Sequence, residues 1–200
     1  MSEQTKPEPD YRQLITEYVA GKHRATRHVD VCLDPDLADR IAAAQDALSD
    51  AESEVEAASQ DRATIASTPA GAKKAVKDAK AALDALVDKA RPASVRLTFM
   101  GLDSVAYAEF GKESRAHGRQ AVADLDESQR ETEEGLAQFA FESAELPART
   151  LSSVTTVDGE PCGVTLDEGR ELLAALPTSI SQRCYVAAVE ACTAAVNLPF

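Results

Sequence analysis

The sequence predicts a mainly α-helical protein with a small β component: a two-stranded antiparallel β-ribbon carrying an antiparallel coiled-coil hairpin, followed by a C-terminal helical bundle. Three observations predict it. Leu37, Ile41, Ala44, Leu48, Ala51, Val55, Ala58 and Ile65 follow an alternating four-three spacing broken only at Arg62, and Ala72, Val76, Ala79, Leu83, Leu86 and Ala90 repeat it. That rhythm averages about 3.5 residues, the period of a left-handed coiled-coil seam. Two short segments of strictly alternating polarity flank the pair of runs, and two helix-start signatures follow late in the chain.

Taken in order, Met1 to Asp10 is polar and proline-bearing, and is expected to be mobile. Tyr11, Leu14, Ile15 and Tyr18 share one face of a short helix that Gly21 ends. Val29, Val31 and Leu33 alternate with His28, Asp30 and Cys32, the pattern of a strand with one buried face. Asp34-Pro35 then supplies an N-cap and a proline at the first helical position, which starts the first long helix. Pro69 and Gly71 break the helical run, so the second helix folds back on the first. Arg91-Pro92 stops it, and Val95, Leu97 and Phe99 alternate with Ser94, Arg96 and Thr98 in a second strand. An antiparallel hairpin returns the chain to its starting point, so the two strands should pair at its base.

Gly101-Leu102-Asp103 turns the chain into a helix capped by Asp103 or Ser104, containing Val105, Tyr107, Ala108 and Phe110 and ending at Gly111. Residues 112–130 are charged and poor in large apolar groups, and read as a loop or loose helix. Leu136, Phe139 and Ala140 mark a core helix over Gly135–Ser143 that ends near Pro147, and Arg149 to Val164 reads as an irregular connection with at most a brief extended piece. Thr165-Leu166-Asp167-Glu168 matches a capping box and opens a helix through Leu172, Leu173 and Leu176. Ser179-Ile180-Ser181-Gln182 resembles a second box, opening a helix through Cys184, Val189, Cys192 and Val196. The expected organisation is an extension with a short helix over 1–27, the ribbon and hairpin over 28–100 with helices near 35–66 and 72–90, and a helical domain over 101–200.

Composition narrows the function. Of 200 residues 44% are hydrophobic, but much of this is alanine and only 4% are aromatic, with no tryptophan. Such a chain builds a modest core, helped by an assembly partner or self-association. A formal net charge of −13 argues against nucleic-acid binding, which needs clustered cations. It suits a dispersed protein or one that meets a basic partner. The basic stretch Lys22 to His28 reads as a solvated linker rather than an anion site. No segment approaches the ~20 apolar residues of a membrane span, and the N-terminus lacks a signal-peptide core, so use in a cytoplasm is expected.

Chemistry-bearing patterns are scarce. Cys32, Cys162, Cys184 and Cys192 form no Cys-x-x-Cys pair and stand at no zinc-finger spacing, and Cys184 and Cys192 read as small buried apolar groups. His23, His28 and His117 each stand among polar neighbours in an expected loop or strand edge, without the orienting partner a general base needs. No glycine-rich phosphate loop, His-Glu-x-x-His pair or Gly-x-Ser-x-Gly elbow occurs. Asp34 and Asp36 are explained by helix capping, and Glu131-Thr132-Glu133-Glu134 by a solvated helix start, rather than by metal binding. No catalytic, cofactor or metal residue is expected, and no enzymatic activity.

Val29-Asp30-Val31-Cys32-Leu33-Asp34-Pro35-Asp36-Leu37, an alanine- and glutamate-rich hairpin, and Ser94-Val95-Arg96-Leu97-Thr98-Phe99 follow one another in an order that resembles the tail assembly chaperones of actinobacterial long-tailed (siphovirus-like) phages and prophages. Thr165-Leu166-Asp167-Glu168 with Leu172 and Leu173, and a final alanine-rich helix with Asn197, are similar to the C-terminal ends of that family. The resemblance covers residues 28–110 and 164–198, while 112–160 follows no pattern of the family. It implies a non-enzymatic protein of the host bacterial cytoplasm that coats the tape measure protein while the major tail protein polymerises. In this family a longer frameshifted product is often made as well. The alternative is a structural virion component such as a head–tail connector or other tail protein. The expected contact surface lies on the last two helices and includes Leu172, Leu176, Ile180 and Val189, rimmed by Asp167, Glu168 and Glu171.

Overall fold

A computed structural model of the chain describes residues 10, 12, 13, 16, 24–60 and 70–194. Most of the short helix expected near Tyr11–Val19, the link around Ser67–Pro69, the expected seam position Ile65, and Val196 and Asn197 lie outside the described residues. The elements run β1 (Thr26–Cys32), α1 (Pro35–Gln60), α2 (Ala70–Ala90), a 3₁₀ turn (Arg91–Ala93), β2 (Ser94–Met100), α3 (Ser104–Ala121), α4 (Glu127–Thr150), β3 (Leu151–Thr156), α5 (Leu166–Ala175) and α6 (Thr178–Thr193). The protein is mostly helical, with a small three-stranded antiparallel sheet.

The strands lie in the order β1-β2-β3. The backbone bonds Leu33 N–H to Ala93 C=O at 2.8 Å and Gly101 N–H to Ala25 C=O at 3.0 Å bracket β1 and β2. Both obey one register, in which Asp30 stands opposite Arg96, so no bulge interrupts the pair. Val29 and Val31 on β1, and Val95, Leu97 and Phe99 on β2, form the buried face, with Leu97 and Phe99 fully enclosed. The expected ribbon thus gains a third strand. Leu151 and Val154 of β3 are both buried although three residues apart, so the segment lacks the strict alternation that identifies a strand in sequence.

Contacts cluster the chain into two compact units. One holds Asp30–Arg96 with Thr155–Gly163. Within it Asp34 caps α1, its Oδ1 accepting from the Leu37 N–H at 3.1 Å, as the Asp-Pro pair predicts. Helices α1 and α2 pack on each other. Along α1 from Asp39 to Ala57 the half-buried positions Ile41, Ala44, Leu48, Ala51 and Val55 interrupt an otherwise exposed surface; before them Leu37 is buried and Ala38 half-buried. Along α2 the matching positions are Ala72, Val76, Ala79, Leu83 and Leu86, ending at buried Ala90. Pro92 sits in the tight turn after α2, and an ion pair from Arg91 to Asp158, 2.6 Å, holds the same unit.

The other unit holds the described residues up to Val29, Leu97–Val154, and those from Val164 on. Its centre is α4, which packs against α3, α5 and α6. Two expectations fail here for one reason. Gly111 does not end α3, and Pro147 does not end α4. Burying Phe110, Ser114 and Gly118 against α4 outweighs the ~1 kcal/mol that a mid-helix glycine costs. Pro147 falls in the last turn, where Leu151 N–H still reaches the Pro147 carbonyl and the buried Thr150 hydroxyl donates to the Leu146 carbonyl at 2.7 Å. The stretch 112–130 is therefore mainly helical, broken only between Ala121 and Glu127.

Glycine permits two close approaches in this unit. A Cβ on Gly118 would lie 2.9 Å from the Glu134 carbonyl oxygen, and one on Gly169 would lie 2.7 Å from Val154 Cγ2. The Thr165–Glu168 capping box forms in full at the start of α5. The second expected box does not: Pro177 occupies the N-cap of α6, makes no side-chain bond, and leaves its carbonyl to the Ile180 and Ser181 N–H groups.

Candidate functional site

Helix α4 presents Leu136, Phe139, Glu142 and Leu146 along one face, at spacings of three, three and four. Leu136 is 57% exposed and Phe139 49%. Phe139 meets Tyr185 of α6 edge-to-face with ring centroids 5.5 Å apart, and Val186 beside it is 48% exposed. Farther along α4 the row enters a cleft of about 380 Å³, whose floor is Glu142 and Leu146 and whose walls include Tyr107 and Phe110 of α3 and Tyr185 of α6. Lys112 and Arg115 stand at its rim, both exposed.

The Glu142 carboxylate is the polar centre of the cleft. Its Oε1 accepts from the Ser114 hydroxyl at 2.6 Å and from the Gln138 amide at 2.8 Å, while Oε2 accepts from the Tyr185 hydroxyl at 3.2 Å. Burial works against the charged form, but these three bonds and the field of Arg115 together outweigh it and hold the pKa below the ordinary carboxylate value. Glu142 is thus ionised at neutral pH and is a poor proton donor there. Burial and the neighbouring carboxylate push the Tyr185 hydroxyl up, and burial does the same to Tyr107. Among the described residues Glu142 has no ion-pair partner within 4.0 Å.

Beside the cleft, side chains of α3 and α4 form one continuous stack. The Arg149 guanidinium lies 5.2 Å over the Phe110 ring, Phe110 stacks on Phe141 at 5.9 Å, and Phe141 stacks on His117 at 4.7 Å. His117 therefore lies on a helix and has an aromatic partner, unlike the isolated loop histidine its neighbours suggest. A second hollow of about 440 Å³ lies between β1 and α6 near Arg27, His28 and Arg183. Its Arg27 is engaged by Glu190 at 3.2 Å, and Arg24 by Asp103 at 3.3 Å, so part of the basic stretch is folded into ion pairs.

The four residues expected to meet a partner, Leu172, Leu176, Ile180 and Val189, are all half-buried. The exposed large apolar side chains on α5 and α6 are Leu166 and Val186, and those on α3 and α4 are Val105, Leu136 and Phe139. Sequence reasoning places Leu136 and Phe139 in a core helix, because their helical spacing is equally that of a buried stripe.

Among the described residues no group of three His, Cys, Asp or Glu could hold a metal ion. The Cys184 thiol is buried and pushed up to about 11 by that burial, which makes it unreactive at neutral pH. Cys192, also raised by burial, is half-buried and accepts from the Leu102 N–H at 3.4 Å. Among the described residues no helix is long and apolar enough to cross a membrane. Comparison with family models, with curated proteins and with solved structures finds no match for this chain.

Proposed function

We propose that the chain is a non-enzymatic tail assembly chaperone of a long-tailed phage or prophage, which binds and disperses a tape measure protein in the host bacterial cytoplasm. The observation that carries this reading is the row of apolar side chains on α4, Leu136 and Phe139, continued by Tyr185 and Val186 on α6. It is a surface to which an amphipathic helix can present residues at matching spacing. The half-buried Leu172, Leu176, Ile180 and Val189 contribute the edges they leave exposed. The net charge of −13 keeps a protein with such a surface from self-aggregating.

We also read α1 and α2 as an antiparallel coiled-coil hairpin, a second helical surface open to the partner, to the major tail protein or to another copy. The half-buried positions of both helices recur at four-three spacing, which supports that reading. The test is co-expression of the chain with a tape measure protein, followed by centrifugation and pull-down. The proposal expects the tape measure protein in the soluble fraction, bound to this chain, and this chain missing from finished particles. Stoichiometric presence in purified particles, with no effect on solubility, replaces it with the head–tail connector reading.

A further inference from the structure

In the cleft where α3 packs on α4, Glu142 accepts from the buried Ser114 hydroxyl, and it does so with a charge that a neutral acceptor would not bring. A carboxylate offers about four acceptor positions, and three here are taken by neutral donors, from Ser114, Gln138 and Tyr185. None of these donors neutralises its charge. Two tyrosines and a phenylalanine line the same hollow. An aromatic-walled pocket of a few hundred Å³ with a few placed polar groups is the usual form of a small-group binding site. Here the inner charge is the Glu142 carboxylate and the two cations, Lys112 and Arg115, stand at the rim, and aromatic faces favour cations.

We propose that the cleft between α3, α4 and α6 binds a cationic side chain of a partner polypeptide, an ammonium or guanidinium group that pairs with the Glu142 carboxylate and packs against Tyr107 and Tyr185. The acidity of the whole chain draws such a group in. Lys112 and Arg115 at the rim oppose it and set its selectivity. The Arg115 guanidinium lies back along its own helix, Nη1 passing 3.6 Å from the point a Cβ on Gly111 would occupy. It makes no close ion pair with Glu142, which leaves the carboxylate open to a cation from outside. The inference stands apart from the tail-assembly reading, because it concerns the cleft alone and its test uses no tail protein.

The test is an amide NMR titration of the full chain with n-butylguanidinium, with n-butanol as the apolar arm and propionate as the anionic arm. The expected result is millimolar binding by the guanidinium alone, with shifts centred on Tyr107, Ala108, Glu142 and Tyr185. Glu142→Gln should abolish these shifts, and Arg115→Ala should tighten binding roughly three- to tenfold by removing a competing charge. Equal shifts from n-butanol overturn the proposal in favour of a merely apolar hollow. Stronger binding of propionate overturns it in favour of an anion site at Lys112 and Arg115. If Glu142→Gln loses its folded spectrum, the exposed Arg115→Ala variant decides: unchanged or weaker guanidinium binding overturns the proposal.

Discussion

Arg96 and Asp30 face each other across β1 and β2 through two parallel hydrogen bonds, Nε to Oδ1 at 2.7 Å and Nη2 to Oδ2 at 2.9 Å. The bond to Asp30 raises the guanidinium pKa further, so the arginine stays charged at any working pH. They form a non-hydrogen-bonded pair of the ladder, where opposite side chains approach most closely. Both remain partly exposed, at 29% and 40%, which limits what the pair contributes. Arg96→Lys keeps the charge but loses the fork, and should cost about 0.5–1 kcal/mol of unfolding free energy, less at high salt. Urea melts at two ionic strengths check this. A loss independent of salt would assign the effect to packing of the arginine stem.

Two glycines of one helix pair should respond with opposite signs. Gly118 of α3 lies where a Cβ would press on the Glu134 carbonyl oxygen at 2.9 Å and on Gln138 Cβ at 3.2 Å. Gly118→Ala therefore forces α3 and α4 apart and should destabilise by about 1–3 kcal/mol. Gly135 of α4 is exposed with nothing within 4 Å of its missing Cβ. Gly135→Ala should stabilise by about 0.5–1 kcal/mol through helix propensity and chain entropy. Paired thermal melts decide it, and the same sign for both would mean that α3 and α4 do not pack at Gly118.

Leu48 of α1 is half-buried while Glu52, four residues on, is exposed. Leu48→Asp places a charge among apolar neighbours and should cost about 1–3 kcal/mol. Glu52→Ala should change stability by less than about 0.5 kcal/mol. Comparable losses of helicity in the two variants by circular dichroism would contradict the four-three assignment of this helix.

The pairing of α1 with α2 was legible because its period is long and its polar positions are unambiguous: among the described residues, every half-buried position from Ile41 to Leu86 falls on the four-three spacing. The Asp34 cap and the Thr165–Glu168 box were legible because local hydrogen bonds decide them. What failed were stop signals judged without packing. Gly111 and Pro147 both mark helix ends by propensity, yet tertiary contacts at Phe110, Ser114 and Leu146 carry the helices through them. The cleft escaped for a related reason. Glu142 is one acid among many in the sequence, and only the packing of α3 and α6 on α4 brings Ser114, Tyr107 and Tyr185 to it.

Acid should reveal the Glu142 network. Its folded pKa lies below the ordinary value of 4.5, so the network stabilises the fold fully above that value. This stability drains away as pH falls through the lower folded pKa. The difference in unfolding free energy between the parent chain and Glu142→Gln should be largest near neutrality and shrink below about pH 4.5. Other acids with lowered pKa values, Asp103 at the α3 cap and Glu168 in the capping box, act equally in both proteins and cancel. A difference that does not change with pH would assign the effect to shape rather than charge.

The last prediction separates partner binding from folding. Leu136 is 57% exposed, so Leu136→Ser removes little buried area and should leave stability within about 0.5 kcal/mol. Leu173 on α5 is buried, and Leu173→Ala should cost about 2–4 kcal/mol through lost transfer energy and a cavity. If the α4 row is the docking surface, Leu136→Ser should nevertheless weaken capture of a co-expressed tape measure protein. A double change that adds Val186→Ser should weaken it further at unchanged melting temperature. The control is Val105, 66% exposed on α3 and absent from the row, where Val105→Ser should alter neither capture nor stability. Undiminished capture by the Leu136 and Val186 double variant would remove α4 and α6 as the contact surface and direct attention to the exposed sides of α1 and α2.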